Sequence, residues 1–387
     1  AFGQTTTAQL RGTVTDSQGP VPGVTVEAVN TATAAKFTAV TAVNGTYVLV
    51  LPAGAYDLAV ATGAHEPWKK AIRVQVGQSV DANVALKPGT LAAEVAVVAS
   101  SAEAQVELVT TEMGTNVSDI QIQSLPQSTR NFLNFAALAP GVRLSRDDLR
   151  QEYSYGAQGA SNTNVFIDGT SYKNDVLQGG SVGQDSSRGN PFPQNAVQEF
   201  RVITQNYKAE YQKASSAVIT AVTKSGSNDL HGDVFVYYQD KGLVSQDKFA
   251  EARNEPKPEY TRWQPGVSLG GPLVKDKVHF FASYEGNLQD REYSVFLGSN
   301  TNWPESFRQQ FTKYTGLYPS EFRSTLLFGK LSVMAAENST IDVSGDYRYE
   351  TDIRGFGNQT SYQSAENVKN DVWTVRGKST ALFGTFL

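Results

Sequence analysis

Apolar and polar positions alternate with a period of two along much of this chain, as expected of strands whose two faces meet different surroundings. Over residues 278–288 the apolar set is Val278, Phe280, Ala282, Tyr284, Gly286 and Leu288, opposite His279, Ser283, Glu285 and Asn287, with Phe281 the one exception. The pattern recurs at Trp263, Pro265, Val267 and Leu269, at Ile341, Val343, Gly345, Tyr347 and Tyr349, and at Trp373, Val375, Gly377, Ala381 and Phe383. It is weaker at Val234, Val236 and Tyr238, and at Leu327, Leu331 and Val333. From residue 229 onward this predicts six strands of about ten residues, the length of a tilted membrane-spanning strand.

Earlier in the chain the alternating runs are shorter. LRGTVTD, GVTVEAVN, KFTAVTA, TYVLVL, YDLAVAT, IRVQV and VDANVAL are cut by turn signals such as SQGPVP, PAGA and GQS. Residues 1–88 therefore read as a small antiparallel β-sandwich, with Asn44-Gly45 expected to close a tight hairpin. Residues 89–115 read as a linker with one extended stretch at 94–99, either passive or able to add a strand to a partner's sheet edge. Residues 116–228 mix helix and strand. Ser128 or Thr129 is expected to cap a short helix that Pro140-Gly141 ends, strands follow at NVFIDGTSY, EFRVITQN and SAVITAVTKSG, and LQGGSVGQDSSRGNPFPQN is a long loop of the functional or mobile kind.

The face of the late strands is decided by their connections. The turns near Asp276 and at residues 336–339 are about four to six residues, against roughly 20 to 35 at 241–261, 290–324 and 351–370, the sorting that outer-membrane barrels show. No run reaches the 18 apolar residues of a membrane-spanning helix, so an integral protein of this sequence must cross as a closed barrel. A lipid-facing barrel is the preferred reading and a soluble two-sheet fold the alternative. Six strands cannot close such a barrel, whose bacterial examples start at 8, so a longer chain or a barrel shared among chains is expected.

Composition narrows the chemistry. Charged residues are 18% and the net charge is −5, which gives no reason to expect nucleic acid. With no Cys, disulfides, thiolate nucleophiles and Cys-bound metal are excluded. His65, His231 and His279 show no metal or triad spacing, and no Ser nucleophile motif or phosphate loop is present. Asp147, Asp148 and Glu152 could hold Ca²⁺, but three neighbouring acids read as a solvated loop. No cofactor, metal site or enzymatic activity is expected.

Several segments carry a family resemblance. GTVTDSQGPVPGVTV and TAVNGTYVLVLPAGAYDLAV resemble the carboxypeptidase regulatory-like domain, an immunoglobulin-like or transthyretin-like sandwich. LPQSTRNFLNFAALAPGV, NVFIDGTSYKND, AVQEFRVITQNYKAEYQKASSAVITAVTKSGSNDLHGDVF and LGGPLVKDKVHFFASYEG resemble the plug and first barrel strands of TonB-dependent outer-membrane transporters of the Oar-like type. The resemblance implies a mainly β chain: an N-terminal sandwich in the periplasm (1–88), a linker (89–115), an α/β plug domain (116–228), and at 229–387 the first six strands of a large transmembrane antiparallel β-barrel. It implies outer-membrane lipid, a periplasmic TonB-type energy-coupling protein and an unidentified extracellular ligand as partners. Glu94, Val95, Ala96, Val97 and Val98 are similar in position and texture to a TonB box. Asp168, Tyr172, Asn174 and Asp175 are the candidates to face a ligand, although Asp168-Gly169 also reads as a plain turn. Uptake of a substrate is one expected function, and anchoring of long outer loops for a structural or adhesive role is the other.

Overall fold

The computed structural model describes residues 6–89, 111–127, 129–144, 153–174, 187–252, 254–298 and 303–381. Three groups of sheets follow one another. In the first, β1 (Thr7–Asp16), β2 (Gly19–Pro20), β3 (Thr25–Asn30), β4 (Lys36–Val40), β5 (Thr46–Pro52), β6 (Gly54–Val60), β7 (Trp68–Val74), β8 (Ser79–Asp81) and β9 (Val84–Ala85) form two layers. One sheet runs β2-β1-β5 with β8 and β9 also on β1, and the other runs β4-β3-β6-β7. Leu10, Val26, Leu49, Leu51, Tyr56 and Leu58 meet between them as an apolar core, because each strand turns every second side chain inward.

Two expectations about this sandwich need correction. VDANVAL is not one antiparallel strand: it divides into β8 and β9, both parallel to β1. At the break the Thr13 amide donates to Asn83 Oδ1 (3.0 Å) in place of a ladder bond, and Gly12 makes room, since a Cβ there would lie 2.0 Å from the Ala82 carbonyl oxygen. Asn44-Gly45 does not close a hairpin either. Only Gly45 takes a positive φ (73°), and the turn carries the chain from one sheet to the other.

The second group surrounds a mixed five-stranded sheet. It comprises β10 (Met113–Val117), α1 (Asp119–Ser124), β11 (Val142–Leu144), β12 (Tyr153–Tyr155), β13 (Asn164–Ile167), β14 (Thr170–Ser171), β15 (Val197–Gln205) and β16 (Val218–Thr223). The sheet order is β10-β15-β16-β13-β14, with β13 parallel to β16, and β11 pairs β12 as a separate ribbon. The expected helix is a 3-10 helix, Phe132–Leu138, and its cap is Asn131, whose side chain accepts from the Leu133 amide. Thr129 is not the cap, and Ser128 lies outside the described residues. Asn131 also donates to the Tyr153 hydroxyl (3.0 Å), so this cap is held by tertiary structure as well as by local preference.

The third group is one antiparallel sheet in chain order: β17 (His231–Asp240), β18 (Tyr260–Val274), β19 (Val278–Val295), β20 (Gly316–Ala336), β21 (Ser339–Arg354) and β22 (Glu366–Ala381). Its pattern is inside out. Trp263, Val267, Leu269, Leu327, Leu331, Val343 and Val375 are exposed, whereas Arg262, Ser268, His279, Glu285, Asp346, Arg348 and Glu350 are buried. No described helix is long and apolar enough to cross a membrane, and here strands supply the apolar face. Their number is as expected but their length is not, for β19 and β20 have 18 and 21 residues. They stay paired out to Val295 opposite Gly316, because ladder hydrogen bonds continue where the apolar alternation has ended. The 296–315 connection is correspondingly shorter than expected. The tight turns, 275–277 and 337–338, are shorter too, with Asp276 and Asn338 at φ 64° and 60°.

Candidate functional site at the plug and barrel wall

Alternation on β19, β20 and β21 aims one row of side chains at the second group of sheets, and this row is charged. Partners come from segments whose local folding places them there. Arg130, at a positive φ of 54°, turns its guanidinium to Glu285, with Nε 3.2 Å from Oε2 and Nη2 3.0 Å from Oε1. The Asn195 amide donates to the same Oε1 (2.7 Å), and Arg130 donates to Asn195 Oδ1 (2.8 Å). The guanidinium carbon lies 3.8 Å from the centre of the Phe235 ring. Arg130 and Glu285 are 8% and 4% exposed, so this is a two-bond ion pair taken out of water.

A second contact uses residues 187–195, the described end of the long polar loop. This end is packed rather than mobile, every residue from 187 to 194 being buried outright and Asn195 half-buried. Arg188 pairs with Asp352 and donates to Ser320 (3.0 Å). Ser187 donates to Glu350 and accepts from Arg348 (2.8 Å), and Arg348 also pairs with Glu350 at 2.7 Å. Gly189 passes so near the wall that a Cβ there would sit 2.0 Å from Glu350 Oε2. Phe192 and Phe328 meet edge to face at 5.1 Å. Phe281 joins them in the same apolar cluster, which accounts for its breaking the alternation: it is an inward apolar residue because apolar residues lie opposite it.

The third contact holds two of the candidates for a ligand. The Tyr172 hydroxyl donates to Asp346 Oδ1 (2.7 Å), and Arg376 pairs with the same carboxylate. Asp168 accepts from the amide and hydroxyl of Thr223 (3.0 and 2.5 Å) and lies 3.7 Å from Lys330 Nζ. Burial pushes its pKa up, yet the Lys330 charge, the Thr223 hydrogen bonds and Lys378 together hold it below the ordinary carboxylate range. Asp168 lines a cavity of about 470 Å³ between sandwich, central sheet and barrel wall. Asn174 is half-buried. Asp175, Asp147, Asp148, Glu152 and the whole TonB-box candidate, Glu94, Val95, Ala96, Val97 and Val98, lie outside the described residues.

The sandwich docks on the side of the tight turns. Asn338 donates its amide to Lys36 O (3.2 Å) and accepts from the Thr38 amide (2.7 Å), and the Asn228 amide donates to Ala32 O (2.8 Å). Sequence reasoning placed Glu285, Ser283 and His279 on an inward face but missed Arg130, Arg188, Ser187, Lys330, Asp346, Glu350, Asp352 and Arg376 as a connected set. The available signal was the polar row Asp346, Arg348, Glu350, Asp352 at every second position of a strand with an apolar opposite face.

A sheet with lipid-type apolar residues outside and charge inside, wrapped on a second sheet held by ion pairs, defines part of a plugged outer-membrane barrel preceded by a sandwich. Residues 9–87 match the carboxypeptidase regulatory-like domain and residues 222–325 an outer membrane beta barrel domain. Over 319 residues the chain is 31% identical to the TonB-dependent transporter Oar of Myxococcus xanthus, covering 77% of this chain and 28% of that one. Among solved structures it is similar to the outer membrane transporter YddB of Escherichia coli (14% identity, TM-score 0.53, 70% of this chain and 37% of that one). It also aligns with the siderophore receptor PirA of Acinetobacter baumannii (18% identity, TM-score 0.44, 64% and 32%). The resemblance to Oar-like TonB-dependent outer-membrane receptors is therefore borne out. The matched proteins are transporters and receptors, not enzymes, and the chain is an outer-membrane protein spanning little more than a quarter of its curated relative.

Proposed function

We propose that this chain is the plug-bearing portion of a TonB-dependent outer-membrane transporter that takes up an unidentified extracellular substrate. The observation that carries the reading is the contact just described. The barrel strands satisfy their own backbone through the ladder, while the plug is joined to them by side-chain ion pairs and hydrogen bonds. Such a plug can be withdrawn without opening the wall. On this reading residues 1–88 are a periplasmic sandwich, 89–115 a linker, 116–228 the plug and 229–387 barrel strands. The docking of the sandwich on the tight-turn side supports that orientation, since short turns are periplasmic in outer-membrane barrels.

The energy-coupling step falls to Glu94, Val95, Ala96, Val97 and Val98, a Val-rich sequence of the β-branched kind that suits strand addition to a periplasmic TonB-type protein. Of the four ligand candidates, Asn174 and Asp175 are retained for direct contact. Asp168 and Tyr172 act on the barrel wall, because the buried Tyr172 donates to Asp346 and the Asp168 carboxylate, its side chain 8% exposed, is ion-paired with Lys330. The test is Val97→Pro in the full-length protein, with binding to the purified periplasmic domain of a TonB-type protein as the readout. Proline removes a ladder donor, so binding is expected to be lost, and undiminished binding sinks the assignment.

A further inference from the structure

The contact between sandwich and plug has no role in the transport reading, and unlike the plug–wall contact it has no apolar cluster spanning it. β15 has one face in the plug core, through Phe200 and Val202. Its other face carries Glu199 and Arg201, 1% and 2% exposed, and the segment after β7 of the sandwich covers them. The Val76 amide donates to Glu199 Oε1 at 2.6 Å, Arg201 reaches the Gly77 carbonyl at 3.4 Å, and Asn116 on β10 donates to Gln75 Oε1 at 3.1 Å. Arg73 pairs with Asp119 at the rim (3.0 Å). The apolar clusters of sandwich and plug remain separate. An interface of polar contacts without a shared apolar core resembles a transient one, and a single buried carboxyl then weighs heavily in whether it forms.

We propose that the sandwich is a releasable cover on the β10–β15 edge of the plug, and that Glu199 makes its docking depend on protonation: docked when the carboxyl is neutral, released when it ionises. Two observations carry this. Glu199 is buried by the docked sandwich, and of its two oxygens Oε1 alone is bonded while Oε2 has no hydrogen-bond partner among the described residues. The charged groups facing it are Arg73 from β7, already paired with Asp119 from α1, and Arg201 on its own strand, which lies 3.9 Å from Glu112. Burial therefore dominates and pushes the carboxyl up to about 7, opposed by the Val76 amide and Arg73. A carboxyl whose docked pKa lies above its free value contributes fully below the free value of 4.5, and this contribution is lost as pH rises through about 7. Acid closes the cover and neutral to alkaline periplasm loosens it. β10 is the edge strand of the plug sheet and follows the linker directly, so the cover sits where a pull on the linker would first act. The inference concerns docking alone and stands or falls apart from transport.

These 387 residues carry no Cys, and in the protein used for the test any Cys outside them is replaced by Ser. Spin labels at Val43→Cys on the sandwich and Lys277→Cys in a barrel turn, in the full-length protein in detergent, report the distance distribution between pH 5 and pH 8. A narrow distribution at pH 5 should broaden by pH 8, with the docking constant falling about 10- to 100-fold, while Glu199→Gln, permanently neutral, should stay narrow throughout. A wild-type distribution that does not change across this range overturns the proposal whether or not the variant folds. So does a Glu199→Gln protein that broadens as the wild type does.

Discussion

Removing the Arg130 guanidinium measures how firmly the plug is seated. In Arg130→Met the stem is kept, but Glu285 is left in a buried site where, among the described residues, the Asn195 amide at 2.7 Å is its remaining hydrogen-bond donor. Breaking a buried pair in this one-sided way costs about 3–5 kcal/mol. The lost stacking on Phe235 at 3.8 Å adds about 0.5–2 kcal/mol. Hydrogen exchange of β15 amides in the full-length barrel reads the cost as plug opening, with protection falling about 100-fold or more, since each 1.36 kcal/mol is a factor of ten. The companion variant Arg130→Met/Glu285→Leu removes both charges, so its loss should be well below the sum of the two single variants. If the double variant loses as much as that sum, the pair is not a unit and the reasoning fails. If Arg130→Met leaves β15 protection unchanged, the plug is not held by this contact at all.

Three further substitutions probe the wall from its two sides. Val267→Arg places a charge on the exposed apolar face, 42% exposed in the chain alone, and should cost about 2–4 kcal/mol in urea titration of the lipid-embedded protein, against little for a charge placed in the 241–259 loop. Equal tolerance at both positions would mean that lipid does not cover this face. Gly189→Ala drives a Cβ to within 2.0 Å of Glu350 Oε2, so it should unseat residues 187–192 and raise protease cleavage there, whereas Ser187→Ala, which adds no bulk, should weaken the contact by about 1–3 kcal/mol through one lost hydrogen bond to a carboxylate that keeps Arg348 and Asn370. Cleavage unchanged from wild type in Gly189→Ala would contradict the close approach.

The sequence by itself determined the strands and what lies outside the barrel. A period of two is a local property of the chain, so Trp263, Val267, Ile341 and Val343 were assignable to one face without knowing any neighbour, and the inside-out burial of Asp346, Arg348 and Glu350 was already written opposite them. Sorting of short and long connections was equally local. Only the tertiary structure decided which charges meet, because Arg130 and Glu285, or Arg188 and Asp352, are 155 and 164 residues apart and no periodicity links them. It alone decided that VDANVAL pairs parallel to β1, that Asn131 caps the 3-10 helix, and that Phe281 belongs inside. The same holds for Glu199 on β15, an ordinary polar position in an alternating strand until a separate body covers it, since the energy of a buried charge depends on what excludes water from it.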